Sequence, residues 1–131
     1  MLTEKDVERI RAFVKDNDIE QAAEKILFVL GFKNKLQGTR FLKDALVKMY
    51  SGEVCFLCRE VYPQIASKYN TTSKRVERCI RNSIRCSLVA GTLYRLNDLF
   101  GFKIVDKYAP TNSELITDIC TWIRLEKIGI A

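Results

Sequence analysis

Residues 62–91 read YPQIASKYNTTSKRVERCIRNSIRCSLVAG. Proline suits the first position of a helix, because its missing N–H would have no partner there, so Pro63 is expected to open a short helix over about 63–69. Ile65, Ala66 and Tyr69 share its inner side, and the polar run Asn70-Thr71-Thr72 interrupts it. Asn70 belongs to the few non-glycine types that tolerate a left-handed backbone. Thr72 is the natural N-cap of a second helix, its hydroxyl accepting from a free first-turn N–H. That longer helix is predicted over about 73–90, ended by Gly91. Two helices joined by about three residues, the second longer and basic, are the sequence form of a helix-turn-helix. Ala66 is small enough to let the second helix cross the first closely.

At about 100° per residue the longer helix has two unlike sides. Val76, Cys79, Ile80, Ser83, Ile84, Ser87 and Leu88 fall on one; Lys74, Arg75, Arg78, Arg81, Asn82 and Arg85 fall on the other. Lys74 and Arg75 also stand in the first turn, where the helix dipole disfavours cations by about 0.3–1 kcal/mol each. Something outside the fold therefore explains their placement better than the helix does. A solvated arginine face with a Glu77–Arg81 pair at i,i+4 is the plainer alternative.

The charge distribution favours an external anion. The chain of 131 residues carries net charge +6, and residues 63–95 hold Lys68, Lys74, Arg75, Arg78, Arg81, Arg85 and Arg95 against Glu77 alone. Residues 1–62 net +1 and residues 96–131 net −1, so this one segment accounts for the whole excess. A surface built for solubility mixes its signs; a localised cationic patch is the footprint of a polyanion. Recognition helices reach base edges with their N-terminal residues, where arginine bridges guanine O6 and N7 and glutamate accepts from cytosine N4. Double-stranded DNA is the expected partner. RNA is disfavoured, since RNP-type aromatics and a Gly-x-x-Gly loop are missing.

Elsewhere the hydrophobic spacing is helical, giving an all-α domain of about six to seven helices. Helices are expected over about 3–15, from Ile19 to Leu30 before Gly31, over 39–50 with an apolar stripe of Phe41, Leu42, Ala45, Leu46 and Met49, and over 54–61. A short one is expected at 93–99 before Gly101, and a final one at 112–127, where Thr111 and Glu114 have capping-box spacing. FKIV at 102–105 is the lone β-like stretch.

Catalysis has no visible apparatus. There is no histidine, which removes the commonest general base, and no Gly-rich phosphate loop. Cys55 and Cys58 form a C-x-x-C, but zinc needs about two further ligands at suitable spacing; the five cysteines are expected to be reduced and buried as small hydrophobes. No metal or cofactor is expected. The charged start MLTEKDVERIRAF is unlike a secretory signal, and no apolar run reaches the ~20 residues of a membrane span, so a cytoplasmic protein is expected.

Three segments, YPQIASKYNTTSKRVERCIRNSI (62–84), LFGF (99–102) and PTNSELI with RLE (110–116, 124–126), together resemble the C-terminal DNA-binding domain of the master sporulation response regulators, the stage zero sporulation protein A family. The resemblance covers about residues 20–127. Residues 1–18 lie outside it as an N-terminal helical extension, and 19–131 form the DNA-binding domain. It implies a six-helix domain whose helix-turn-helix binds short asymmetric promoter boxes, commonly as tandem copies, to activate or repress transcription. Mapped by motif, it implies Arg75, Glu77, Arg78 and Arg81 as base readers, with Lys74 beside them. It implies phosphate contacts from Thr71, Thr72 and Ser73 and from Thr111, Asn112 and Ser113; Lys68, Asn82 and Arg85 complete that set. A helix N-terminus is an anion site in its own right, although simple capping accounts for Thr111–Ser113 equally well.

The chain departs from the family pattern at Asn82, where histidine is usual, at Arg85, where glutamate is usual, and at Lys74, where a small residue is usual. Affinity is thus expected to lean on phosphates. Starting at Met1, the chain has no room for the family's receiver domain, and a stand-alone regulator is expected. The competing expectation is an interaction protein, contacting RNA polymerase or pairing with a full-length regulator; self-association on tandem sites is compatible with either.

Overall fold

The computed structural model describes residues 1–52 and 56–129. Seven α-helices lie among them: α1 (Glu4–Asp16), α2 (Ile19–Val29), α3 (Gln37–Ser51), α4 (Tyr62–Lys68), α5 (Ser73–Ala90), α6 (Arg95–Phe100) and α7 (Asn112–Ile128). A π-helical turn, Leu57–Val61, leads into α4, and a 3-10 turn, Thr92–Tyr94, leads into α6. Among the described residues there is no strand.

Polar side chains mark where helices begin. Thr3, Asp18, Thr72 and Thr111 each accept a first-turn backbone N–H, and the first and last of them complete capping boxes with Asp6 and Glu114. Such caps contribute about 1 kcal/mol each. The apolar stripe of α3 then becomes the centre of the molecule. Phe41, Leu42, Ala45 and Leu46 are fully buried, and α3 packs against α2, α5 and α7. The same core takes Ile26, Leu27 and Leu30 from the α2 end, Ile80 and Ile84 from α5, and Ile116, Ile119 and Ile123 from α7. Each such side chain contributes about 1.5–3 kcal/mol when removed from water, so α5 is anchored by its inner face while its outer face stays free.

Four expectations change. The helix expected over 54–61 begins in residues outside the described ones, and its described part is a π-helical turn running without a break into α4. Pro63 therefore sits in the first turn of a continuing helix rather than at a fresh start. Segment 93–99 divides into the 3-10 turn and α6. FKIV is not a strand: Asn97 Oδ1 accepts from the N–H groups of both Ile104 and Val105, each at 2.7 Å, and Asn97 Nδ2 donates to the Val105 carbonyl at 3.1 Å. One amide thus supplies the pairing that a neighbouring strand would.

The fourth concerns the cysteines. Cys120 is buried, and burial pushes its thiol up to about 11. Cys79 is half-buried, whereas Cys58 and Cys86 are exposed, because the helices that carry them turn those positions to solvent. Cys55 lies outside the described residues.

Candidate nucleic-acid interface

The interface is assembled from the turn outward. At the end of α4 the Tyr69 N–H donates to the Ile65 carbonyl at 3.1 Å, and the Thr71 N–H donates to Ala66 at 2.8 Å. Between them Asn70 takes φ 54°, the one positive φ outside glycine among the described residues. That left-handed residue reverses the chain so that Thr72 faces α5, where its hydroxyl accepts from the Arg75 N–H at 3.2 Å. Both residues therefore play the parts that their types alone suggest.

The turn is tied down from behind. Asp44 of α3, itself buried, accepts from Lys68 Nζ at 3.0 Å and from the Tyr69 hydroxyl at 2.9 Å. The hydrogen bond to Asp44 holds the Lys68 ammonium above the ordinary lysine value. Burial and the same carboxylate push the Tyr69 phenol up. Lys68, whose side chain is 58% exposed, thus also holds the turn through its ammonium.

Over α5 the two faces separate as the wheel predicts. Val76, Ile80, Ile84 and Ser87 are buried, while Lys74, Arg75, Arg78, Asn82 and Arg85 are exposed. Arg81 is half-buried and ion-paired with Glu77 one turn earlier. Arg75 Nη2 donates to Gln37 Oε1 at 3.0 Å, so the first turn of α5 is braced by the start of α3. Nothing in the hydrophobic pattern marks Gln37, so the sequence alone does not single it out.

On the other flank the start of α7 stands beside the middle of α5. Thr111 and Glu114 close the capping box, and accepting the Thr111 backbone N–H holds the Glu114 carboxyl below its usual range. Thr111 and Ser113 are exposed. Asn112 is 7% exposed, and its Nδ2 donates to the Tyr62 hydroxyl and to the Glu77 carbonyl, each at 3.0 Å. Its amide hydrogens are thus used inside the protein, clasping α7 to α4 and α5. Burial pushes the Tyr62 phenol up.

A cleft of about 700 Å³ opens between these elements, lined by Tyr62, Glu77, Arg81, Arg85, Thr111 and Ser113 among others. The structure therefore gathers Arg81, Arg85, Thr111 and Ser113 around one concavity. Lys74, Arg75, Arg78 and Asn82 stand on the exposed face, and Thr71, Thr72 and Ser73 stand at its N-terminal end.

Such an arrangement can hold a phosphate chain and leave arginines to reach between the chains. The Glu77–Arg81 pair does not prevent this. Exposed i,i+4 pairs are worth about 0.3–0.5 kcal/mol, whereas a bidentate arginine–guanine contact discriminates by about 1–3 kcal/mol. No cluster of side chains among the described residues has the makings of a metal site, and no helix among them is long and apolar enough to cross a membrane. A family model described as sporulation initiation factor Spo0A C terminal matches residues 23–123.

Proposed function

Because the chain belongs to the Spo0A C-terminal family, the DNA-binding effector domains of sporulation regulators, we propose that it is a sequence-specific regulator that reads promoter DNA in the major groove with α5. Lys74, Arg75, Glu77, Arg78 and Arg81 contact base edges. Thr71, Thr72, Ser73, Asn82, Arg85, Thr111 and Ser113 contact phosphates, with Asn112 setting the position of α7 from within and Lys68 that of the turn. The family is one of transcription-factor domains and not of enzymes. Short promoter boxes in tandem, each taking one copy, are the target this reading expects.

The observation that carries the proposal is the exposed cationic face of α5, held in a fixed attitude by the Asn70 turn, the Thr72 cap and the Asn112 clasp. Rigid placement matters because bidentate base contacts are geometrically demanding. Fluorescence anisotropy with a duplex carrying the family's promoter box and with a scrambled duplex, at about 150 mM salt, tests it. Tighter binding to the box is expected. Equal binding to both would overturn sequence-specific reading.

A further inference from the structure

Residues 25–43 contain Lys25, Lys33, Lys35, Arg40 and Lys43 and no acidic residue. Averaged over the N-terminal half of the chain this excess nearly vanishes, because α1 is balanced and Asp18, Glu20, Glu24, Asp44, Glu53 and Glu60 offset it. In the fold they do not. Lys43 is paired with Glu20 and Glu24, but Lys33, Lys35 and Arg40 are exposed, and none of the three has an ion pair among the described residues.

Their position ties them to the recognition helix. Gln37, between Lys35 and Arg40, accepts from the Arg75 guanidinium. Gly38 lies so close to α5 that a Cβ there would meet Ser83 Oγ at 2.0 Å and the Cys79 carbonyl at 2.6 Å. Phe41, one residue after Arg40, packs edge-on against Tyr69 of the turn at 5.1 Å, and Arg40 shares the rim of a small hollow with Tyr69. The α2–α3 segment therefore runs beside α5 from Ser87, which donates to the Leu30 carbonyl, to Arg75 at Gln37, and its next helical turn reaches the Asn70 turn. The start of α7 contacts α5 at Glu77.

We infer that Lys33, Lys35 and Arg40 form a second phosphate-binding flank, which grips the DNA backbone outside the bases read by α5. The inference rests on the DNA-binding function proposed for α5. Unpaired, exposed cations beside a recognition helix release counterions from phosphates without reading sequence. The flank thus adds affinity and lengthens the footprint while leaving base preference to α5.

The test compares the triple variant Lys33→Gln/Lys35→Gln/Arg40→Gln with a control of equal charge change on α1, Lys5→Gln/Arg9→Gln/Lys15→Gln, on box and scrambled duplexes across a salt series. Each phosphate contact contributes ~0.9 to the slope of log K against log salt. The flank variant is expected to lose about 2–3 from that slope and to weaken on both duplexes by the same factor, keeping the box preference. The α1 control is expected to keep the wild-type slope. The charge-preserving variant Lys33→Arg/Lys35→Arg/Arg40→Lys should also keep it, which separates charge from misfolding. A flank variant with the wild-type slope, or an α1 control that loses as much, overturns the inference while box-specific binding by the wild type still stands. A wild type that binds neither duplex overturns the DNA-binding function and the flank with it.

Discussion

Glu77 shows how much a single residue can be asked to do. Its carboxylate pairs with Arg81, its carbonyl accepts from Asn112, and its place on the exposed side of α5 suits it to cytosine N4. The outward face was legible because charge and hydrophobicity alternate with helical period. The use of the Asn112 amide was not, since a buried clasp between α7, Tyr62 and Glu77 depends on packing across about fifty residues of sequence. Asn112→Ala removes both donated hydrogen bonds and takes from the buried Tyr62 hydroxyl the donor it accepts from, so a loss of about 1–3 kcal/mol is expected in chemical denaturation. A loss below about 0.5 kcal/mol would mean that the clasp is incidental. Glu114 makes a pH prediction. Its carboxyl is held below the usual glutamate range by the Thr111 N–H. Its contribution is therefore complete above the unfolded value and is lost as pH falls through the lowered folded one. Replacing it with glutamine, which can still accept from that N–H, should flatten this part of the acid stability profile; an unchanged profile would rule the capping box out as its source.

At the scale of elements, the boundaries that the sequence reveals are those set by local chemistry. Asn70, Thr72, Gly91 and the Thr111–Glu114 box all act where they were expected, because each satisfies a backbone group within a few residues. The start of α3 differs. Leu36 stands at its N-cap with no side-chain hydrogen bond, and Gly38 lies inside the first turn, so the helix begins before the expected Thr39. What places it there is the close approach to α5, a tertiary contact that no local pattern encodes. Gly38→Ala tests this directly. The added methyl meets α5 backbone as well as the Ser83 side chain, so the helix itself must shift, at an expected cost of about 1–3 kcal/mol. Weakened box preference should accompany the lost stability, and full stability with full preference would contradict the geometry. The π-helical turn before α4 was equally illegible, since it continues into Tyr62 and Pro63 where proline suggested a new start.

Across the whole molecule, the expected division between residues 1–18 and the remainder rests on the sequence resemblance, while α1 packs against α2 and α7. Ile10 and Val14 of α1 are buried, Arg11 pairs with Glu126 of α7 at 3.0 Å, and the Leu2 N–H donates to Asp98 at 3.1 Å. We propose that α1 serves as part of the same core. Ile10→Ala is then expected to cost about 2–4 kcal/mol in chemical denaturation while leaving DNA affinity unchanged for the folded protein; a negligible loss would make α1 an appendage. All of this scaffolding serves one surface, on which α5 is proposed to read bases. That role is probed most sharply by the affinity of wild type and of Arg78→Ala for the promoter box and for a scrambled duplex at one salt concentration. A loss of about 1–3 kcal/mol on the box with little change on the scrambled duplex is expected, so that discrimination collapses. An equal loss on both duplexes would contradict base reading by α5, and would make Arg78 a phosphate contact on a protein that holds DNA without reading it.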